Sequence, residues 1–340
     1  MRNRAAIVFV LLACATAVFA AGGGFTLLKT VPVPGEGGWD YLTVDEAGRR
    51  VYISHGTQVD VLDADSCEIK GTIKDEAIKG VHGIAVAPEF GRGYISNGQS
   101  NSVTVFDLKT LKPIGEPVKT GNNPDCIIYD PSTKRVFAFN GRGKSTTVIE
   151  AGDKESKVAG TIELGGKPEF AAADGTGKVF VNLEDKDEVL KLDAKKMEVL
   201  EHIKIEPGKQ PVGMAMDTKK NRLFVGCGNQ KLVVINAENG KVIDNQPIGK
   251  GVDATAFDPE TGNIFNSCAD GTVTVIHQDG DKYAVVDTIK TKPRAKTMAV
   301  DRKTHKLFLP SADFKEAAGG GRPTIDPKTF AILVYGKSEK

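Results

Sequence analysis

Residues 37–73, GGWDYLTVDEAGRRVYISHGTQVDVLDADSCEIKGTI, contain a pattern that the rest of the chain repeats. An apolar run ends in an acidic turn residue, a basic residue leads into a second apolar run, and a third alternating run and a short fourth run follow. Seven copies occur 41 to 44 residues apart, with the turn residue at Asp45, Pro88, Asp130, Asp174, Asp217, Asp258 and Asp301. A near-constant period of this size is typical of closed repeat arrays, and four short strands make one propeller blade.

The repeat predicts an all-β fold, a seven-bladed β-propeller with four antiparallel strands in each blade. We expect one domain over residues 25–337, with blades at about 37–73, 80–118, 122–162, 166–203, 209–248, 251–289 and 293–337. The last copy lacks a fourth strand, and residues 25–32 resemble one. We expect this N-terminal strand to join the last blade and close the ring, because an open array would expose two unpaired edges. An insertion at 312–329, rich in Gly and Pro, either covers a site or is a disordered surface loop.

The first twenty residues have the features of an export signal. Arg2 and Arg4 precede an apolar run at 5–18 that is followed by small residues, so residues 1–20 are predicted to be a signal peptide. The run is too short for a permanent transmembrane helix. The alternative is a lipoprotein signal with an acylated Cys14. In either case we expect a periplasmic or secreted protein.

Composition argues against several classes of function. The formal net charge is +1 and the charges form no blocks, whereas a nucleic-acid partner would require a strongly basic domain. The contents of 40% hydrophobic and 26% charged residues are those of an ordinary soluble protein. The cysteines show no C-x-x-C spacing, which argues against a thiolate metal or redox site. We expect a monomer whose partner is an unknown protein or a small molecule.

Strands of a blade run up and down in turn, so the starts of the first strands and the ends of the second strands lie on one face, here called the top face. Loops and strand ends on a rigid scaffold commonly carry function, so this face is the predicted binding face. The residues predicted to converge on it are Trp39, Asp40, His55, His82, Asn97, Asp125, Asn140, Glu169, Asp253, Arg294 and Lys296. The alternative for each polar residue is a structural role in capping the strand ends.

Asp40, His55 and His82 are the candidate ligands of a divalent metal ion, because imidazole and carboxylate donors bind such ions and could activate a water. No other cofactor is predicted. Trp39 could stack on a ligand or fill the gap between the last and first blades. The sequence contains no nucleophile elbow, no H-E-x-x-H and no phosphate loop, which favours a non-catalytic protein over an enzyme.

Three strand pairs resemble the YVTN repeat: VYISHGTQVDVLD at 51–63, GYISNGQSNSVTVFD at 93–107 and LFVGCGNQKLVVIN at 223–236. The chain from Phe25 to about Lys337 is similar to YncE-like seven-bladed β-propellers of bacterial envelopes. Some members of that family bind DNA and others occur in surface layers, so the resemblance specifies the fold better than the function. Lactonases on similar propellers hold a metal with acids and Asn at the mouth of the axis. Two hypotheses follow: an exported, non-catalytic binding or scaffold protein that uses the top face, or a metal-dependent hydrolase of lactonase type at the channel mouth.

Overall fold

The structure is a computed structural model that describes residues 24–35, 37–315 and 323–337. These residues form seven four-stranded antiparallel sheets and one two-stranded hairpin. Three short 3-10 helices also occur, at Pro88–Phe90, Glu184–Lys186 and Pro327–Thr329, and no helix of the described residues is long and apolar enough to cross a membrane. The predicted signal peptide at 1–20, with Cys14, lies outside the described residues, as does 316–322 of the predicted insertion.

Each four-stranded sheet is one blade, and in blades 1 to 6 the strands follow one another in the chain from the innermost to the outermost. Blades 1 and 2 are β2 Leu42–Asp45, β3 Arg50–His55, β4 Gln58–Asp63, β5 Ile69–Lys74, β6 Val81–Ala87, β7 Arg92–Asn97, β8 Ser102–Asp107 and β9 Val118–Lys119. Blades 3 and 4 are β10 Pro124–Asp130, β11 Arg135–Asn140, β12 Ser145–Glu150, β13 Lys157–Glu163, β14 Pro168–Ala173, β15 Lys178–Leu183, β16 Glu188–Asp193 and β17 Glu198–Lys204. Blades 5 and 6 are β18 Pro211–Asp217, β19 Arg222–Cys227, β20 Lys231–Asn236, β21 Lys241–Pro247, β22 Val252–Asp258, β23 Asn263–Cys268, β24 Thr272–Asp279 and β25 Lys282–Lys290.

Blade 7 is assembled from both ends of the described chain. Its strands, from the inside out, are β26 Ala299–Asp301, β27 Lys306–Ser311, β30 Ala331–Lys337 and β1 Phe25–Pro32. Strand β1 pairs antiparallel with β30, from Phe25 opposite Lys337 to Pro32 opposite Ala331. Between β27 and β30 the chain forms the small hairpin of β28 Phe314–Lys315 and β29 Thr324–Ile325.

The seven sheets form a ring. Each innermost strand contacts the innermost strand of the next blade, from β2 through β6, β10, β14, β18 and β22 to β26, and β26 contacts β2. The core lies between blades, where the apolar side chains of second and third strands pack together. Val51 and Leu62 of blade 1, for example, share one apolar cluster with Phe308 and Ile332 of blade 7. The predicted fold, seven blades of four antiparallel strands, is confirmed.

The outermost strands are interrupted in a regular way. In six blades the pairing of the fourth strand with the third shifts by one residue, which is a β-bulge. Leu28, Leu200 and Ile243 occupy such bulges and are exposed. In blade 2 the fourth strand is only two residues long. Bulges and short edge strands hinder the addition of a further strand, so the circumference of the ring is poorly suited to pairing with another chain.

On the bottom face, opposite the top face, cations connect neighbouring blades. In five blades the first residue of the second strand is basic and reaches the following blade. Arg92 donates to the Asp153 carbonyl at 2.6 Å, and Lys306 of blade 7 donates to the Asp65 carbonyl of blade 1 at 3.0 Å. The other three connections run from Arg50 to Leu108, from Arg135 to Ala194 and from Arg222 to Asp281. These bonds satisfy carbonyls and carboxylates at the seams, so the charges of this face stabilise the ring.

Candidate binding site on the top face

Three predicted residues meet where the axial channel opens on the top face. Asp40 lies two residues before β2, His82 is in β6 and Asp125 is in β10, so three consecutive blades contribute. The Nδ1 atom of His82 lies 2.6 Å from Oδ2 of Asp40 and 3.6 Å from Oδ1 of Asp125. We call Asp40, His82 and Asp125 the mouth cluster. The innermost strands thus bring to one point groups that are 42 and 43 residues apart in the sequence.

Serines near the ends of the second strands hold the backbone of the mouth cluster. The Oγ atom of Ser54 accepts a hydrogen bond from the Asp40 N–H at 2.6 Å. The Ser96 hydroxyl accepts from the Gly83 N–H at 2.8 Å and donates to the Asp125 carbonyl at 2.6 Å, which joins blade 2 to blade 3. Both serines are fully buried. Because backbone groups at these strand starts lack ladder partners, the hydroxyls satisfy them and fix the direction of the adjacent acidic side chains.

Three other predicted charged residues, Glu169, Asp253 and Lys296, form ion pairs around the same mouth. Glu169 and Glu184 share the ammonium group of Lys167, with Glu169 at 2.6 Å and Glu184 at 2.5 Å. Asp253 pairs with Lys296 at 2.8 Å. The carboxylates of the mouth cluster have no such cation within ion-pair distance among the described residues, apart from the imidazole of His82.

The proximity of these acids changes how they bind protons. Burial raises the pKa of Asp40, against the opposing effect of its hydrogen bond with His82. Burial and the charge of Asp40 raise the pKa of Asp125 to about 6, and burial and the charge of Asp125 raise the pKa of Glu169 to about 8. Burial lowers the pKa of His82, but the hydrogen bond to Asp40 and the charges of Asp125 and Asp40 outweigh it and the pKa is raised. The acids at the mouth therefore stay protonated to a higher pH than isolated carboxyls would. This is expected of a site that holds more negative than positive charge.

Two aromatic rings from different blades meet beneath the mouth cluster. The rings of Tyr41 and Phe170 are 4.4 Å apart between centroids, and Tyr41 is buried. The polar interaction of the Tyr41 hydroxyl with Asp125 lowers the pKa of that carboxyl, against the larger effect of burial. Cys126, next to Asp125, is buried in the same apolar cluster as Tyr41, and burial raises the pKa of its thiol. An apolar contact between blades 1 and 4 thus lies directly under the mouth cluster.

A cleft of about 910 Å³ extends outward from the mouth cluster over blades 1 to 3. Asp40 and His82 form part of its floor. The other lining residues are Gly37, Gly38, Trp39, Gly56, Thr57, Gly80, Val81, Gly98, Gln99, Asn101, Asn122, Asn123 and Arg142. A Cβ atom on Gly98 would lie 2.6 Å from Nε2 of His82 and 2.4 Å from Nδ2 of Asn123, so glycine is required there to keep the floor open.

Three predicted site residues point elsewhere. The Nδ1 atom of the fully buried His55 is 2.8 Å from Oδ2 of Asp60 in its own blade. Asn97 donates to Thr104 at 2.9 Å and Asn140 donates to Thr147 at 3.1 Å, again within the same blade. These side chains end their second strands as the sequence indicates, but they bond to the third strand and take no part in the mouth cluster.

Trp39 and Arg294 lie beside the predicted insertion. Trp39 stacks on Phe330 with ring centroids 5.3 Å apart and meets the edge of Phe314 at 6.1 Å. The Arg294 guanidinium lies over the Phe314 ring at 4.3 Å. Trp39 therefore bridges blade 1 and blade 7 on one side and lines the cleft on the other.

The structure combines two of the three candidate metal ligands with a third residue. Within the described residues, the mouth cluster is the group of three possible ligands whose donor atoms all lie within 4.8 Å of one another. Asp125 takes the place that the sequence analysis assigned to His55. Two carboxylates and an imidazole suit a divalent ion such as Zn²⁺ or Mn²⁺.

Sequence analysis did not select several residues of the site. Examples are Gln99, Asn122 and Arg142. They lie in turns between second and third strands or between blades, whereas the sequence analysis assigns only strand ends to the top face. Their positions follow from the same alternation of strand direction that selected Asp40. Tyr41 gave no signal, because a tyrosine beginning an apolar strand is indistinguishable from an ordinary core residue.

No family model matches the sequence, and no curated protein matches it significantly. Among solved structures, a chain of Kuenenia stuttgartiensis hydrazine synthase has a similar fold, with a TM-score of 0.71 and 16% sequence identity over 89% of this chain and 96% of that chain. At this identity the similarity extends to the fold and to no activity. Together with the seven sheets, it identifies the chain as a seven-bladed β-propeller.

Proposed function

We propose that this protein is an exported, non-catalytic binding protein of the YncE-like, YVTN-repeat kind, and that it holds a divalent cation and a small polar ligand on its top face. The repeat sequence supports the family assignment, and the charged and apolar runs at residues 1–20 support export to the periplasm or the exterior. The near-neutral charge argues against nucleic acid as the ligand.

The observation that carries this proposal is the mouth cluster. Two carboxylates and a histidine converge at the mouth, where Asp40 and His82 form part of the floor of an open cleft. Burial raises the pKa of both carboxyls, and the charge of Asp40 adds to the rise at Asp125. Such an arrangement opposes folding when the acids are charged, unless a cation binds between them. A divalent ion would replace the retained protons and relieve the repulsion of Asp40 and Asp125.

Metal binding to the purified mature protein tests the proposal. After treatment with EDTA and dialysis, Mn²⁺ or Zn²⁺ is titrated by calorimetry, and bound metal is counted by mass spectrometry. We expect one ion per chain, with binding lost in Asp125→Asn and in His82→Gln. A matched control is His305→Gln, because His305 pairs with Asp258 at 2.7 Å on the bottom face and belongs to no ligand group. Equal binding by the wild type and both mouth variants would overturn the proposal.

The second candidate is a metal-dependent hydrolase of lactonase type at the same place. It is favoured by the open floor of the cleft, where an ion held by three protein ligands would keep room for a water, whose pKa the ion would lower. A panel of lactones of different ring size and acyl length distinguishes the two. Hydrolysis that disappears with EDTA and in Asp125→Asn would establish the hydrolase. Metal binding without hydrolysis of any lactone would contradict the hydrolase and support the non-catalytic binding protein.

A further inference from the structure

The walls of the cleft have a chemistry distinct from that of the mouth cluster. Of the fifteen lining residues only Trp39 and Val81 carry large apolar side chains. Four carboxamide side chains face the cleft: Gln99, Asn101, Asn122 and Asn123. Each carboxamide offers both donors and an acceptor, which is the pattern that a ligand rich in hydroxyl groups requires.

Two of the four carboxamides also have local roles. Asn101 and Asn123 have positive φ angles of 50° and 58°, which Asn tolerates, and Oδ1 of Asn101 accepts from the Asn123 N–H at 2.7 Å. Gln99 and Asn122 are exposed and have no side-chain hydrogen bond to any described residue. No turn or cap accounts for these two amides, so they are available to a ligand.

Arg142 places a positive charge on the rim of the same cleft. It is exposed on the turn between β11 and β12 and forms no ion pair or hydrogen bond with any described residue. The arginines of the blade seams differ, since Arg92 and Arg135 are both engaged with backbone carbonyls. A free guanidinium favours planar anions, and a carboxylate accepts two parallel hydrogen bonds from it.

We propose that the cleft binds an acidic saccharide, a short sugar chain that bears carboxylate groups. Arg142 pairs with a carboxylate, Gln99 and Asn122 bond to ring hydroxyls, and Trp39, whose one face is covered by Phe330, offers apolar surface to a sugar ring. The acids of the mouth cluster would repel an anion, so the ligand carboxylate belongs beside the Arg142 guanidinium. This inference rests on the proposed use of the top face for binding, and it does not require the metal ion.

Calorimetry with a galacturonate trisaccharide tests the proposal, and the carboxyl-reduced neutral trisaccharide is the matched ligand. Both are titrated in EDTA, so that no cation bridges them to the mouth cluster. We expect saturable binding of the acidic form, and about tenfold weaker binding of the neutral form and of the acidic form to Arg142→Ala. Gln99→Ala and Asn122→Ala should weaken both sugars. Arg302→Ala, which removes an exposed arginine on the bottom face, should change neither affinity.

The outcomes separate this inference from the proposed function. If neither sugar binds while Asp125-dependent metal binding persists, the acidic saccharide is wrong and the binding face stands. If the neutral sugar binds as well as the acidic one, or if triglutamate binds equally well, the assigned ligand class is wrong. If the sugar binds but no metal does, the cation part of the proposed function is wrong and the saccharide stands.

Discussion

Asp125 and Asp301 lie at opposite ends of innermost strands and behave in opposite ways. Asp301, on the bottom face, is completely buried and receives two hydrogen bonds from Arg49, at 2.8 and 2.6 Å. Burial alone would raise its pKa, but Arg49 and Thr304 lower the pKa to about 2. Asp125 is more exposed, with 17% of its side chain accessible, yet burial and the charge of Asp40 raise its pKa to about 6. Burial raises the pKa of both carboxyls, and of the two it is outweighed only at Asp301, by the hydrogen bonds from Arg49 and Thr304.

Other acidic residues of the two faces show the same difference in the direction of their pKa shifts. On the bottom face, hydrogen bonds from Lys178 and from backbone N–H groups lower the pKa of Asp193 to about 2. On the top face, Glu169 shares its lysine with Glu184, and its pKa is raised to about 8 by burial and by the charge of Asp125. Acids on the bottom face contribute to the stability of the ring. Acids at the mouth reduce it at neutral pH, which is expected where a site retains charge for a ligand.

The largest expected effect is the loss of the seam between blades 7 and 1. Arg49→Met leaves Asp301 buried without its partner, and we expect the free energy of unfolding to fall by about 3–5 kcal/mol. Urea denaturation at pH 7 measures this free energy. The difference in free energy of unfolding between variant and wild type should become smaller below pH 4, because Asp301 becomes protonated and loses its ion pair as the pH falls toward 2.

Arg302→Met is the control for that variant. Arg302 pairs with Glu46 through exposed side chains, so its loss should change the free energy of unfolding by about 0–1 kcal/mol. Similar effects of the two variants would mean that the paired carboxylates of the bottom face do not stabilise the ring as described.

The next largest expected effect is the stabilisation of the folded protein by a cation bound at the mouth cluster. A cation bound only by the folded protein should raise the free energy of unfolding by about 2.7 kcal/mol at a hundredfold excess over Kd. Thermal unfolding with and without Mn²⁺ should show the rise in the wild type and in Arg302→Met, but not in Asp125→Asn. The ion competes with protons at Asp125, so the stabilisation should be smaller at pH 5 than at pH 8. An unchanged rise in Asp125→Asn would place the ion elsewhere.

The fold could be predicted from the sequence because each blade repeats the same order of turn and strand signals. The direction in which a side chain at a strand end points could not be predicted in this way. His55, Asn97 and Asn140 occupy equivalent positions, and each bonds to a polar side chain five residues later, at Asp60, Ser102 and Ser145. That recurring partner is visible in the sequence, and it explains why these side chains bond within their own blades.

The composition of the mouth cluster was harder to predict for a different reason. Which residues of seven similar strand starts face one another depends on the closure of the ring and on hydroxyls such as Ser54 and Ser96 that set the backbone. Asp40 and Asp125 are 85 residues apart, and the distance between them follows from the radius of the ring rather than from any local motif. The sequence therefore predicts the face and leaves the ligand set open.

Removing one mouth acid should stabilise the protein at high pH. Because the folded pKa of Glu169 is raised to about 8, its contribution to stability is present below pH 4.5 and is lost as pH rises through 8. Glu169→Gln cannot ionise, so in EDTA at pH 9 it should be more stable than the wild type by ~1–2 kcal/mol, with no gain at pH 4.

Glu184→Gln is the matched control, because Glu184 accepts from the same lysine. It should show no comparable gain at pH 9. A Glu169→Gln protein that is less stable than the wild type at that pH would show that the ion pair with Lys167 stabilises the charged form of Glu169. The proposed difference between the acids of the two faces would then be wrong for Glu169.

The smallest effect concerns the hydroxyl beneath the cluster. The polar interaction of the Tyr41 hydroxyl with Asp125 favours the charged form of the carboxyl, so Tyr41→Phe should raise the pKa of Asp125 further and weaken cation binding near pH 6. The expected change is no larger than that of one hydrogen bond, about 0.5–1.5 kcal/mol, and the titration of the Asp125 carboxyl by carbon NMR measures it. Tyr94→Phe removes a comparable bond, to Ser156 at 3.1 Å, away from the mouth and should leave that titration unchanged. A pKa of Asp125 that stays the same in Tyr41→Phe would mean that Tyr41 acts on the site through packing alone, and that burial and the neighbouring acids set the proton affinity of the mouth.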